Sequence, residues 1–193
     1  MSYIHELPAT QDISDVLSLK GCPFTQKRPL KVHILALGDV GMTMLIGLRL
    51  LGRHSIESIG ICDIKEENVK RLEMEINQIR YPFDGPTLPP VHVVTEKDLF
   101  QCDVFIFCAS KGVPPIGVIG DVRMAQLEAN RGLIKHFATL AKDVSYKGLV
   151  CIVSDPVDPL CVAFLDESSL APWQIQGYGL GVMNARALYY AEK

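Results

Sequence analysis

The sequence lacks the features that mark membrane-spanning, secreted and nucleic-acid-binding proteins. Its 193 residues contain no run of Lys and Arg, and the formal net charge is −3, so the chain has no general attraction for a phosphate backbone. The most apolar stretch, around residues 40–51, is too short to cross a bilayer and contains Arg49. The N-terminus is acidic and lacks a long apolar signal segment. We therefore expect a cytoplasmic protein that binds neither nucleic acid nor membrane.

Cysteine is present, but not in a pattern that binds metal or builds a disulfide framework. No two of the six cysteines form a C-x-x-C pair, and several lie in or beside apolar runs, where a thiol behaves as a small core residue. A hydrophobic share of 48% and a charged share of 21% are typical of a folded domain. We predict reduced, structural thiols and no metal site.

From Leu30 onward, short apolar runs alternate with amphipathic helical segments. The pattern predicts strands at 31–37, 58–64, 91–95, 102–110 and 148–154, a candidate sixth at 173–179, and helices after Gly41, at 65–79, at 122–142, within 155–168 and from 184. Strands separated by helices form a parallel sheet, and right-handed crossovers make it doubly wound. We predict an α/β fold, a Rossmann-type doubly wound parallel sheet with helices on both faces, over residues 30–193. Residues 1–29 are predicted to be an N-terminal arm or linker.

The stretch "LKVHILALGDVGMTMLIGLRLLG", residues 30–52, runs as a strand, a glycine-bearing turn and a helix. In a dinucleotide-binding turn of this kind, Gly38 lets the backbone approach a pyrophosphate, and Gly41 lets the helix pack close to the strand. Ala36 stands where a first glycine is usual; it fits at negative φ, whereas positive φ would impose strain of about 1–2 kcal/mol. The cofactor contacts expected at this turn are Ala36, Gly38, Asp39, Val40 and Gly41.

Asp63 strengthens the interpretation of this turn as a nucleotide site. It ends the second predicted strand about 20 residues beyond the glycines, where a carboxylate accepts hydrogen bonds from an adenosine ribose. The alternative is a strand-end Asp that caps the next helix. A carboxylate here favours NAD over NADP, because it would repel a 2′-phosphate.

Four later segments resemble one family. They are "DVFIFCASKGVPP", "VRMAQLEANRGLIKHFA", "LVCIVSDPVDPL" and "IQGYGLGVMNARALYY". In order and spacing they are similar to the NAD-binding half of the lactate/malate dehydrogenase family, and the likeness runs from about residue 31 to residue 193. The resemblance implies NAD as cofactor and hydride transfer between NAD(H) and a small 2-hydroxy or 2-keto acid in the full protein.

The resemblance also implies roles for particular residues. Arg123 matches the mobile-loop arginine that polarises the substrate carbonyl, and Arg186 matches the arginine that clamps the substrate carboxylate. Asn130 and Asp155 fall at substrate-binding positions of the family. Ala109 and Asp155 fall at cofactor-binding positions.

The sequence departs from the family at several of these positions. Asp155 replaces an asparagine, and an ionised carboxylate repels a keto-acid carboxylate where an amide can donate a hydrogen bond. Met183 replaces the aspartate that orients the family's catalytic histidine, and the loop from Ala109 to Arg123 is longer than in the family. All five histidines of the chain precede Arg186, so none can be that proton-relay histidine.

Two hypotheses therefore stay open, together with the idea that the long loop from Ala109 to Arg123 and Asp155 accept a substrate without a carboxylate. In the first, the chain is the NAD-binding domain of a longer dehydrogenase subunit whose substrate-binding domain is absent from this chain, and the chain alone is inactive. In the second, it is a catalytically lapsed relative that keeps the fold for NAD binding or assembly. The family resemblance implies a homo-oligomer in either case.

Overall fold

The protein is described here by a computed structural model that covers residues 28–81, 85–111 and 122–193, without the side chains of Val122, Arg123 and Leu180. Nearly all of the predicted N-terminal arm, and most of the predicted loop at 111–121, lie outside these residues. None of the helices in the described ranges is both long and apolar enough to cross a bilayer.

Six strands and five α-helices alternate along the described chain. The strands are β1 (Leu30–Leu35), β2 (Ile56–Cys62), β3 (Val91–Val93), β4 (Val104–Phe107), β5 (Leu149–Ile152) and β6 (Ile175–Gly177). The helices are α1 (Asp39–Leu51), α2 (Glu66–Gln78), α3 (Val122–Asp143), α4 (Val157–Ser168) and α5 (Leu180–Ala191), with short 3₁₀ turns at Glu96–Asp98 and Pro172–Gln174.

The strands form one parallel sheet in the order β3-β2-β1-β4-β5-β6. This is the strand order of a doubly wound dinucleotide-binding fold, in which the order reverses between β1 and β4. The predicted fold class is therefore confirmed.

Helices cover both faces of the sheet, because the strands are apolar on both sides. On one face, α1 and α2 bury Leu45, Val69 and Leu72 against the sheet. On the other face, α3 and α4 bury Ile134 and Phe164. Helix α2 also buries Ile76, and Ile79, directly after the helix, packs at the margin of the core.

Most strands are shorter than predicted, and three boundaries differ in ways that bear on the site. Helix α1 begins at Asp39, two residues before Gly41. The sixth strand is shorter than predicted because Pro172, which fixes its own φ, starts a 3₁₀ turn that includes Trp173 and Gln174. Helix α5 starts directly after Gly179, four residues before the predicted start at residue 184.

Strand β3 lies at one edge of the sheet, and its outward backbone groups bind side chains of α2. The Asn77 amide donates to the Val91 carbonyl at 2.7 Å, and its oxygen accepts the Val91 N–H at 2.9 Å. The carboxylate of Glu73 accepts the Val93 N–H at 3.0 Å. Side chains thus take the place that a seventh strand would occupy on these groups.

Candidate nucleotide-binding site

The turn between β1 and α1 brings the helix into direct contact with the strand end. A Cβ added at Gly41 would lie 1.9 Å from the carbonyl oxygen of Ala36, so any side chain there would push the helix away. Ala36 has a φ of 70°, which is the left-handed conformation that strains an L-residue. Its N–H donates to the Cys62 carbonyl at 2.8 Å, which ties the turn to the end of β2.

Gly38 differs from Gly41 because the protein leaves open space around it. A Cβ at Gly38 would meet no atom within 4 Å, and the residue is exposed with φ of −68°. Gly38 precedes the first residue of α1, and no side chain caps the helix there. The N–H groups of the first helical turn have no carbonyl partner within the helix, so they are available to an anion placed beside Gly38. Asp39 and Val40, the first two helical residues, are exposed.

Asp63 points toward this turn from the end of β2. Its Oδ2 atom accepts the backbone N–H of Leu37 at 2.6 Å, and its Oδ1 atom accepts the N–H of Lys65 at 3.0 Å. The Lys65 bond resembles the capping alternative, although no side-chain hydrogen bond caps α2 itself. Neighbouring Ile64 is 96% exposed, an unusual placement for an apolar side chain.

The turn and Asp63 lie at the carboxyl edge of the sheet, on the β1 and β2 side of the point where the strand order reverses. On the other side of that point are the residues that follow β4 and β5. The N–H of Cys108 donates to the Leu35 carbonyl at 3.1 Å and holds the end of β4 beside β1. Ala109, a predicted cofactor contact, is the next residue and is 8% exposed.

Asn130, predicted to bind substrate, is fully buried and bonded to the backbone on both sides. Its side-chain oxygen accepts the Lys111 N–H at 2.8 Å. Its amide nitrogen donates to the Asp155 carbonyl at 3.1 Å and lies 3.4 Å from the Ser110 hydroxyl. With 0% exposure, the side chain joins the segments after β4 and β5. Its role in substrate binding stays a prediction.

Ser154 was missed by the sequence analysis. Its hydroxyl donates to the Ala109 carbonyl at 2.8 Å, and the residue is 6% exposed. The sequence did contain a signal for this bond. Ser154 is a small polar residue at the end of an apolar run, immediately before Asp155 and Pro156. Buried hydroxyls are bonded in stable proteins, so a partner on the neighbouring strand was to be expected.

The other residues with implied substrate roles follow β5 or lie on α3 and α5. Asp155 is exposed at the carboxyl end of β5. Arg123 is the second residue of α3, and its side chain lies outside the description. Arg186 and Met183 are exposed on α5, where every described side chain is exposed. Their roles stay predictions.

The described cysteines have the properties expected of reduced, structural thiols. Cys62, Cys102, Cys108, Cys151 and Cys161 are free. Burial raises the pKa of both Cys102 and Cys108 to about 12, so these thiols stay protonated and unreactive near neutral pH. Within the part of the chain that the structure describes, no group of three or more His, Cys, Asp or Glu residues is arranged to hold a metal ion.

Comparison with known proteins identifies the family. The family model for the NAD-binding domain of lactate/malate dehydrogenases matches residues 30–177, and the chain belongs to this family. NAD, predicted from the turn and Asp63, is confirmed as the cofactor of the domain family.

The relatives are dehydrogenases of about twice this length. The chain is 25% identical over 170 residues to an L-lactate dehydrogenase of Mesomycoplasma hyopneumoniae, covering 86% of this chain and 50% of the relative. It is 26% identical over 171 residues to that of Mycoplasma pneumoniae, covering 86% of this chain and 51% of the relative. The chain thus spans about half the length of these relatives.

Solved structures show the same fold. A lactate dehydrogenase from a Medee basin deep-sea metagenome library superposes with a TM-score of 0.70 at 23% identity, over 85% of this chain and 50% of that one. The lactate dehydrogenase of Eimeria maxima, solved with NADH and oxamate, gives 0.62 at 19% identity, over 80% and 44%. The malate dehydrogenase of Picrophilus torridus gives 0.61 at 21%, over 77% and 45%.

Proposed function

We propose that the carboxyl edge of the sheet binds NAD(H), with the pyrophosphate over Gly38 and the adenosine ribose on Asp63. One observation carries the proposal: the Asp63 carboxylate is bonded to the Leu37 N–H at 2.6 Å and so stands beside the turn that opens at Gly38. A carboxylate there accepts ribose hydroxyls, while free N–H groups at the start of α1 favour an anion. The exposed Ile64 supplies an apolar surface next to the ribose position for a base.

The contrast between two glycines supports a ligand at this turn. Gly41 is required by the protein itself, because a Cβ there would collide with Ala36. Gly38 has no such requirement, since its surroundings are open and its φ of −68° suits any residue. A glycine that the fold does not need is explained by a ligand that approaches the backbone closely.

We further propose that the chain performs hydride transfer only together with a substrate-binding domain like the second half of its relatives. The substrate would be a small 2-hydroxy or 2-keto acid, with Arg123 polarising its carbonyl and Arg186 holding its carboxylate. Ala109 and Asp155 would contact the cofactor, and Asn130 would lie near the substrate. Assembly as a homo-oligomer in the cytoplasm is part of the same proposal.

A second candidate is NAD binding without dehydrogenase activity. It is favoured by the exposed carboxylate of Asp155 at the carboxyl end of β5, because a negative charge there opposes a keto-acid anion. Met183, which cannot orient a catalytic histidine, favours the same candidate.

Calorimetric titration with NADH tests the binding proposal. Gly38→Ala should keep the melting temperature and lower NADH affinity at least about tenfold, because a methyl group would occupy the space left for the pyrophosphate. Gly47→Ala is the matched control, since a Cβ there also meets nothing within 4 Å but lies two turns along α1. Equal NADH affinity in both variants would contradict the proposal.

Turnover separates the two candidates. The dehydrogenase proposal expects NADH oxidation with one or more members of a panel of 2-keto acids, measured on the protein in its full natural length. Binding of NADH without turnover of any of them would select the lapsed alternative.

A further inference from the structure

Two buried polar side chains join the segment after β4 to the segment after β5. Ser154 donates its hydroxyl to the Ala109 carbonyl at 2.8 Å. Asn130 donates to the Asp155 carbonyl at 3.1 Å and accepts the Lys111 N–H at 2.8 Å. We call Ser154 and Asn130, with these bonds, the β4–β5 brace.

The brace begins near the end of the regular pairing between the two strands. The Val153 N–H donates to the Phe107 carbonyl at 3.0 Å, and immediately beyond it the Ser154 hydroxyl reaches Ala109. Ser154 is 6% exposed and Asn130 is 0% exposed. Buried polar groups are expensive unless they are bonded, and a bonded network holds one geometry. The brace therefore keeps residues 109–111 and 154–155 at a set separation.

This separation is set next to the point where the strand order reverses. The groups proposed to hold the adenosine half, Gly38 and Asp63, belong to the β1 and β2 side. A dinucleotide that crosses the sheet at the reversal extends its second mononucleotide along the ends of β4 and β5. The segments that the brace joins are therefore the floor for the nicotinamide half.

We propose that Ser154, acting with Asn130, is a positioning residue for the nicotinamide half of the cofactor. The inference rests on the proposed NAD(H) binding and adds a role that the family resemblance does not assign to Ser154. Neither side chain needs to touch the cofactor. By holding residues 109–111 against 154–155 before binding, the brace removes an ordering cost that NADH would otherwise meet.

A purely structural role for Ser154 would change NADH and ADP affinities in a different way from a positioning role. ADP occupies only the adenosine side, whereas NADH occupies both sides of the reversal. Loss of a positioning residue should therefore weaken NADH and spare ADP. General loosening of the domain should weaken both ligands or only lower the melting temperature.

The chain offers a matched control at the opposite end of the same strand. Gln174 is also 6% exposed, and its amide donates to the Gly148 carbonyl at 2.9 Å, just before β5 begins. Gln174→Ala removes this bond and also the one that Gln174 Oε1 accepts from the Ala171 N–H at 3.1 Å, so it costs at least as much buried bonding as Ser154→Ala, but at the amino edge. Ser154→Cys keeps the side-chain volume with a weak donor, and Ser154→Thr keeps the hydroxyl.

The experiment is calorimetric titration of the full chain and its variants with NADH and with ADP. We expect Ser154→Ala and Ser154→Cys to lower the ratio of NADH to ADP affinity about tenfold, the size expected for loss of one buried bond. Ser154→Thr, which keeps the hydroxyl, should keep the ratio of NADH to ADP affinity near the wild-type value. Gln174→Ala should leave this ratio within about twofold of wild type.

An unchanged ratio in either folded Ser154 variant, or the same fall in Gln174→Ala, would overturn the inference while leaving NAD(H) binding intact. If the wild-type chain bound neither NADH nor ADP, the proposed function would fail first, and the positioning role with it. The wild-type titration therefore distinguishes the two failures.

Discussion

The backbone N–H of Leu37 donates to Oδ2 of Asp63 over 2.6 Å and joins the turn after β1 to the end of β2. Because Oδ1 of the same carboxylate accepts the Lys65 N–H at 3.0 Å, Asp63 is held in one orientation without a ligand. The turn proposed to hold the pyrophosphate and the carboxylate proposed to hold the ribose are therefore joined as one preorganised unit. Preorganisation of this kind lowers the entropy cost of binding.

Removing the charge of Asp63 should change both the affinity and the choice of cofactor. Asp63→Asn keeps an oxygen for the Leu37 N–H but loses a charge-assisted acceptor, so we expect NADH affinity to fall about tenfold. NADPH affinity should rise, because the 2′-phosphate no longer faces a carboxylate. Titration with both nucleotides measures the effect.

The control for this charge change is Asp143→Asn, at the exposed end of α3. It should leave both affinities at the wild-type value. If Asp63→Asn and Asp143→Asn gave the same result, Asp63 would have no role at the ribose.

Relief of backbone strain at Ala36 should stabilise the domain. Ala36 has a φ of 70°, which costs an L-residue about 1–2 kcal/mol, while glycine adds about 0.4–1 kcal/mol of unfolded-state entropy. We expect Ala36→Gly to raise the free energy of unfolding by up to about 1.5 kcal/mol, measured by urea denaturation. A lower free energy of unfolding would mean that the turn holds alanine without strain.

Two glycines of α1 should respond oppositely to the same substitution. Gly41→Ala places a Cβ 1.9 Å from the Ala36 carbonyl oxygen, so we expect a loss of at least about 2 kcal/mol in the free energy of unfolding. Gly47→Ala meets nothing within 4 Å and should gain about 0.5–1 kcal/mol through better helix propensity. Denaturant midpoints of the pair test the close approach of α1 to β1.

Acid should destabilise the domain partly through His33. Burial lowers the pKa of His33 below 6.5, its ordinary value, although its Nδ1–H donates to the Leu99 carbonyl at 2.8 Å. Below about pH 6.5 the unfolded chain takes up a proton that folded His33 resists, so stability falls as pH falls through this range. His33→Gln, which keeps a donor for Leu99, should weaken the dependence between pH 7.5 and 5.5.

The control for the histidine prediction is His54→Gln, because His54 is exposed. Its stability should follow the wild-type pH dependence, measured as the change in urea midpoint. If the stability of His33→Gln changed with pH as the wild type does, groups other than His33 would account for the sensitivity to acid.

Much of the fold could be predicted from sequence because its apolar residues follow clear strand and helix patterns. Buried strands such as Val104–Phe107 are almost wholly apolar, and helix α2 repeats its apolar residues every three or four positions. The boundaries were less predictable because they depend on local turns. The place of Arg49 in the fold was not predictable either, because its 5% exposure depends on bonds that it donates to the distant carbonyls of Pro89 and Ile79.

The candidate site was predictable where it depends on residue type and spacing, as at Gly38 and Asp63. It was not predictable where it depends on backbone angles or long-range bonds. The φ of Ala36 follows from how β1 meets α1, which no local pattern reveals. The bonds of Asn130 and Ser154 join segments about 20 and 45 residues apart, so only the folded arrangement shows them.

The side chains that cover β3 also bear on how the protein avoids aggregation. An uncovered outer strand is a template on which a foreign chain can extend a sheet. Here the outward groups of Val91, and the N–H of Val93, are already bonded to Asn77 and Glu73. An incoming strand would first have to displace α2, so templated growth toward fibrils is disfavoured from this side of the molecule.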